Sequence, residues 1–124
     1  MKYLLLTYLN ENEWHALSPE AQKAEMEACE PHVKRLMSSG KMLDGAPLEP
    51  TSTAATVQYR GGKRLVTDGP FAELREQIGG YTLLEADSRQ EAIDIAGGFF
   101  TGTPMDGRVT IEVRPVVDYK LPGK

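Results

Sequence analysis

Residues 2–9 (KYLLLTYL) carry apolar side chains at successive positions and not only at every second one. Because neighbouring side chains in a strand point to opposite faces of a sheet, a strand of this composition is buried on both sides. The segment is far too short to span a bilayer and is too weakly flanked for a secretory signal. The first residues therefore predict a strand of a covered sheet in a cytoplasmic protein.

Two helices are predicted from their end signals. Ser18-Pro19-Glu20 supplies an N-cap, a proline at the first helical position and an acidic first turn, and Gly40 is suited to the C-terminal end. Pro31 should kink this helix or split it in two. Residues 88–91 form a capping box for a second, short helix that residues 97–98 weaken or end. The apolar face of the first helix consists of Cys29, Val33, Leu36 and Met37.

Further strands are predicted at 54–60 and 63–67, joined by the two-residue hairpin turn Gly61-Gly62, and at 81–86 and 108–114. Residues 10–17 are interpreted as a polar connection, and residues 41–50 as a short extended piece followed by a loop. The order strand, helix, hairpin, strand, helix, strand is the split βαβ arrangement of a ferredoxin-like α+β fold. Two helices cover only one face of such an antiparallel sheet. We therefore predict that the open face packs against a second copy in a homodimer.

Length and composition exclude several classes of protein. The 124 residues suffice for one domain, expected at 1–118 with a flexible tail at 119–124. The net charge of −4 argues against partners such as nucleic acid or an anionic membrane, which need a basic face. The single cysteine allows no internal disulfide, and no spacing of cysteine and histidine resembles a zinc site. No metal and no cofactor are expected.

The motif VTDGPFAE (66–73), followed by EQIGGY (76–81), resembles the signature of the DGPF, or YCII-related, family. The opening MKYLLL (1–6) and the closing IEVRP (111–115) are similar to that family too, so the resemblance runs through almost the whole chain. It implies the dimeric α/β barrel, a ferredoxin-like fold. Members of the DGPF branch are frequently encoded beside extracytoplasmic-function sigma factors, and some relatives act on small aromatic or lactone-type molecules.

Some YCII-type proteins look catalytic through a His–Asp pair, and the matching positions in this chain are His32 and Asp68. One hypothesis is therefore a cofactor-independent enzyme that transfers a proton on a small cyclic or aromatic molecule, with His32 as base or acid and Asp68 orienting it. The alternative is a non-catalytic ligand-sensing or regulatory module associated with a sigma factor. His32 could also be a core-edge histidine with one hydrogen bond, and Asp68 could simply cap its turn.

Four other residues are candidates for contact with a substrate. Trp14 could form a wall of a pocket or cover the edge of the core, and Phe71 should anchor the DGPF segment in the core. Tyr81 could contact a ligand or only pack within the sheet. Arg114 could bind an anionic group or form a surface salt bridge. Cys29 is interpreted as a buried, inert thiol.

Overall fold

The structure, a computed structural model, describes residues 1–123. It contains a four-stranded antiparallel sheet, a separate two-stranded hairpin and three α-helices, with one 3-10 turn at Thr51–Thr53. Along the chain the elements are β1 (Lys2–Leu9), α1 (Glu11–Ala16), α2 (Pro19–Ser38), β2 (Met42–Pro47), β3 (Ala55–Arg60), β4 (Lys63–Asp68), β5 (Gln77–Glu85), α3 (Arg89–Gly97) and β6 (Val109–Pro115).

The N-terminal strand lies inside the main sheet, whose order is β2-β5-β1-β6. Leu5 of β1 stands opposite Thr82 of β5 and Val113 of β6, and both pairings are antiparallel. Since directly opposed residues point to the same face, this row of three side chains faces the helices. The α+β class and the split βαβ strand order are thus confirmed, with the hairpin inserted between β2 and β5.

The predicted ends of the two longer helices are confirmed. Ser18 caps α2 by accepting a hydrogen bond from the Ala21 N–H at 3.1 Å, and Gly40 follows the helix in the left-handed region at φ +74°. Of the two effects predicted for Pro31, the split does not occur, since α2 runs continuously from Pro19 to Ser38, and the kink stays a prediction. Both Pro31 and Glu27, whose carbonyl loses its helical donor, are exposed, so water can replace the missing hydrogen bond.

The hairpin is confirmed, but its predicted place in the main sheet is wrong. Gly61 and Gly62 adopt φ angles of +56° and +76°, as a tight hairpin turn requires, and Val57 stands opposite Val66. Within residues 1–123 the hairpin strands pair only with each other, and every residue of β4 is exposed. The edge position in the main sheet belongs to β2, which the sequence suggested only as a short extended piece.

A third helix, α1, occupies the segment that was interpreted as a polar connection. The Asn10 side chain caps it by accepting from the N–H groups of Asn12 and Glu13, at 2.9 and 3.3 Å. The prediction of only two helices is therefore corrected to three. The helix has six residues, too few for a clear apolar period, which is why the pattern did not indicate it.

The core fills one end of the space between the sheet and the helices α2 and α3. Leu5 and Leu84 are almost completely buried, and Leu36 of α2 packs against them. The remaining buried residues of this cluster are Tyr3, Ala86, Ala92, Ile95 and Ala96. No helix within residues 1–123 has the length and apolar character needed to cross a membrane. The predicted tail ends at Lys124, which lies outside the described residues.

Candidate functional site

The space between sheet and helices is filled at one end of β5 and empty at the other because the side chains facing the helices become smaller. Leu84, Thr82 and Gly80 follow one another on that face, opposite Tyr3, Leu5 and Thr7 of β1. Leu84 is completely buried in the core, whereas Gly80 has no side chain to extend toward the helices. The sheet therefore cannot meet α2 along its whole length, and a cavity results.

The cavity has a volume of about 380 Å³ and opens to solvent. Its walls come from the four strands of the main sheet, from α1 and α2, and from the loop after α3, and most of its surface is apolar. Pockets that bind small organic molecules have the same character, with volumes from about 300 to 1,000 Å³. Side chains from the sheet and helices that line it include Leu5, Thr7, Leu9, Met42, Thr82 and Ile111, with Met26, Cys29 and Val33.

The mouth of the cavity is held by contacts of α1 with its neighbours. Trp14 lies on the wall, and its carbonyl accepts a hydrogen bond from the Gln22 side-chain amide of α2 at 3.0 Å. The Glu11 carboxylate accepts from both the N–H and the hydroxyl of Thr51, at 2.9 and 3.0 Å. These bonds tie α1 to α2 and to the 3-10 turn, so the walls of the mouth are positioned before any ligand arrives.

Glu25 is the buried charged residue of the cavity wall, with only 2% of its surface exposed. One carboxylate oxygen accepts a hydrogen bond from the Thr103 hydroxyl at 2.8 Å, and the other accepts from the Met105 N–H at 2.9 Å. Burial of a carboxylate is tolerated only when its oxygens are hydrogen-bonded. The two bonds also fix the loop between α3 and β6 against α2.

That loop carries Phe100, which lines the cavity in an unusual backbone conformation. Its φ of +63° lies in the left-handed region, which costs a residue other than glycine about 1 kcal/mol or more. The Thr103 hydroxyl has one proton, which is shared between two acceptors, the Phe100 carbonyl oxygen and the Glu25 carboxylate, each 2.8 Å from the hydroxyl oxygen. Glu25 therefore helps to hold the strained turn that places an aromatic ring on the cavity wall.

Cys29 lines the cavity one helical turn after Glu25. Burial raises the pKa of its thiol, an effect that the Phe100 backbone opposes and the charge of Glu25 reinforces. A raised pKa favours the neutral thiol, which is a weak nucleophile. The structure thus agrees with the interpretation of Cys29 as an inert thiol.

His32 lies next to α3 and outside the cavity wall. Its Nε2 is 3.0 Å from the Ile95 carbonyl oxygen, and its ring meets Phe99 edge-on with centroids 4.6 Å apart. A Cβ at Gly98 would come within 2.6 Å of the imidazole, so the ring fills the space that this glycine leaves. These contacts match the interpretation of His32 as a histidine at the edge of the core with one hydrogen bond.

Asp68 ends the strand β4 in the exposed hairpin and stands opposite Ala55. Within residues 1–123 no hydrogen bond or ion pair joins it to His32, and neither residue lines the cavity. The catalytic His–Asp pair therefore gains no support from the single chain and stays a prediction. Phe71 does not anchor the DGPF segment in the core, because 78% of its surface is exposed. That expectation was wrong, since the hairpin and the DGPF segment project away from the core.

Tyr81 and Arg114 belong to the sheet face that points away from the helices. Tyr81 is part of the cavity wall, but it stands opposite Leu6 and its hydroxyl donates to the Asp44 carboxylate at 3.2 Å. Asp44 raises the pKa of that hydroxyl. Arg114 is exposed and forms an ion pair with Glu112 at 3.4 Å. This matches the surface salt bridge that was one of its two interpretations.

The position of Glu25 in the sequence indicates that its carboxylate is buried. This residue precedes Cys29 by four residues on α2, so it lies on the helical face that carries Cys29, Val33 and Leu36. A carboxylate within an apolar helical stripe requires an internal partner or a functional role. The wall residues Thr7, Thr82 and Gly80 gave no comparable signal, because a cavity depends on which side chains the sheet register brings together.

The fold and the cavity together define an α+β protein with a mainly apolar cavity between an antiparallel sheet and its helices. Residues 1–120 match the YCII-related domain, and the chain belongs to this family. It is 36% identical to an uncharacterised protein of Rhizobium meliloti (strain 1021), over all of this chain and 98% of that protein. Within residues 1–123, no cluster of three or more Asp, Glu, His or Cys residues could hold a metal ion.

Proposed function

We propose that this YCII-related protein binds a small, largely apolar organic molecule in the cavity between its sheet and helices. The observation that carries the proposal is the cavity of about 380 Å³ with mostly apolar walls. An apolar ligand would gain roughly 25 cal/mol for each Å² of its apolar surface removed from water. The walls around the mouth are already tied together by Glu11 and Gln22, so little ordering would oppose binding.

Binding can be measured with N-phenyl-1-naphthylamine, an uncharged aromatic dye that brightens in apolar surroundings. Trp14 is the only tryptophan of the chain and lies on the cavity wall, so it can transfer excitation energy to the bound dye. We expect saturable binding with one dye per chain. The ligand-bound protein should also unfold at a higher temperature, because a ligand that binds only the folded state stabilises it.

A matched pair of substitutions locates the site. Thr7→Phe adds a ring to the cavity wall and should weaken dye binding about tenfold or more, equivalent to about 1.4 kcal/mol. Thr67→Phe makes the same change on the exposed hairpin and should leave binding unchanged. Circular dichroism verifies that both variants are folded. The proposal fails if the wild-type protein shows no saturable binding, or if both variants bind the dye as the wild type does.

The enzymatic hypothesis needs a group that can transfer a proton within reach of the ligand. His32 is engaged with the Ile95 carbonyl and Phe99, and Asp68 lies on the hairpin, so the single chain favours binding over proton transfer by this pair. His32→Gln should abolish turnover if the hypothesis is correct. The association with a sigma factor also stays a prediction, which a pull-down with the purified factor would test.

We infer that the open face of the sheet packs against a second copy of the chain. Leu4 and Leu6 of β1 and Leu83 of β5 share this face, and each is only partly buried in the single chain. Asp44 on β2 and Arg114 on β6 lie at opposite edges of the same face. A two-fold axis parallel to the strands would bring the Asp44 edge of one copy over the Arg114 edge of the other, which favours a symmetric dimer.

A further inference from the structure

The charged side chains of the cavity wall are carboxylates. Glu11 lies at the mouth and Glu25 in the interior, whereas among residues 1–123 no lysine or arginine lines the cavity. His15 is the one histidine among the described wall residues, and it is exposed at the mouth. The interior of the cavity therefore has a negative electrostatic character in mainly apolar surroundings.

Glu25 is not neutralised by any cation in the described part of the chain. The ion pairs found within residues 1–123 all involve other residues, and both hydrogen bonds to its carboxylate come from uncharged donors, the Thr103 hydroxyl and the Met105 N–H. A carboxylate has about four acceptor positions, so each oxygen retains the capacity for another hydrogen bond. A positive charge that entered the cavity would find a buried, fixed and unneutralised partner.

We propose that the ligand of this cavity is an amphipathic amine, a molecule with a hydrophobic body and a protonated nitrogen that pairs with Glu25. This inference rests on the proposed function, because it assigns the chemical class of the molecule bound at that site. The apolar walls accommodate the body, and Glu25 supplies the charge that selects an ammonium over a carboxylate. An anionic ligand of the same shape would meet Glu11 at the mouth and Glu25 inside, and both would repel it.

The test uses three probes of closely similar size, each with a phenyl ring on a four-carbon chain, which are 4-phenylbutylamine, 4-phenylbutan-1-ol and 4-phenylbutanoate. Each competes with N-phenyl-1-naphthylamine for the wild-type protein at pH 7.5, where the amine is protonated. We expect the amine to displace the dye at a concentration at least about tenfold below that of the alcohol, as a charge-assisted hydrogen bond allows. The carboxylate should be the weakest competitor.

Two variants assign the preference to one residue. Glu25→Gln removes the charge and keeps a hydrogen-bonding side chain for Thr103 and Met105, so the preference for amine over alcohol should fall to about twofold or less. Glu27→Gln removes the same charge from the exposed surface of α2, where Glu27 faces Lys23, and should leave the preference intact. This control distinguishes an effect of the charge in the cavity from an effect of the net negative charge of the whole protein.

The outcomes distinguish the two proposals. If the dye binds but the alcohol or the carboxylate competes as well as the amine, the assignment of an amine is wrong and the cavity still binds apolar molecules. An unchanged amine preference in Glu25→Gln also overturns the assignment. If the dye fails to bind the wild-type protein, the proposed function fails and the assignment falls with it. The comparison of probes on the wild-type chain does not depend on either variant folding.

Discussion

His32 and Gly98 illustrate how single residues in this chain serve packing. The imidazole lies where a side chain at position 98 would be, with 2.6 Å between its nearest atom and a Cβ built on that glycine. The ring cannot easily move away, because it contacts the Ile95 carbonyl and the edge of Phe99. Gly98 has an ordinary right-handed backbone conformation, so steric contact alone would oppose a larger residue there.

Gly98→Ala should lower the free energy of unfolding by about 1–3 kcal/mol, because the new methyl group collides with the His32 ring. In a His32→Ala background the same substitution should cost almost nothing, and urea denaturation of the four proteins measures the coupling. Gly97→Ala is the control, since a Cβ there meets no atom within 4 Å and alanine favours the helix. An equal cost of Gly98→Ala in both backgrounds would contradict this placement of His32.

The residues whose roles the sequence could predict have partners nearby in the chain, whereas the roles that it could not predict depend on distant partners. The caps Ser18 and Ser88 depend on neighbours three residues away, at Ala21 and Glu91, so local spacing was sufficient. The role of Glu25 depends on Thr103 and Met105, about eighty positions along the chain, and no local pattern contains that information. Phe71 was misjudged for the same reason, because aromatic character predicts burial only where a core lies within reach.

At the scale of elements, the hairpin shows the limit of local signals. Its strands and its Gly61-Gly62 turn were predicted correctly, because turn type and strand propensity are local properties. The sequence did not predict that the hairpin is separate from the main sheet, in which β2 and β5 pair with each other instead. β2 contains Gly45 and Pro47, residues that are poor indicators of a strand, so propensity favoured the wrong partner for the sheet edge.

The hairpin and the DGPF segment should contribute little to the stability of the main domain. Tyr59 and Phe71 expose 73% and 78% of their surface, so Tyr59→Ser and Phe71→Ser should each change the free energy of unfolding by less than about 0.5 kcal/mol. Leu84→Ala, in the completely buried part of β5, is the comparison and should cost about 2–5 kcal/mol. Urea denaturation measures all three. A loss above about 1.5 kcal/mol at either exposed aromatic residue would mean that it is covered in solution.

At the scale of the whole molecule, the two faces of the main sheet differ in what covers them. The helix-facing side borders the core around Leu5 and Leu84 at one end and the cavity beside Thr7 and Gly80 at the other. The other face is apolar along its central strands, with Asp44 and Arg114 near its edges. The repeated leucines of β1 already predicted burial on both sides, and α2 and α3 account for one of them. The second side is the part that one chain alone does not bury.

If a second copy covers that face, the protein should sediment as a dimer, and Leu6→Asp should convert it into a monomer. Leu6 stands opposite Tyr81 and Glu112 in the sheet, so a carboxylate there would be buried against the second copy beside the like charge of Glu112, at a cost of several kcal/mol. Met37→Asp is the matched control, because Met37 lies on α2 with 62% of its surface exposed and its replacement should leave the dimer intact. Sedimentation equilibrium gives the association state of each protein, and circular dichroism verifies that the variants are folded. A wild-type protein that sediments as a monomer, or a Leu6→Asp variant that stays dimeric, would exclude this face as the interface.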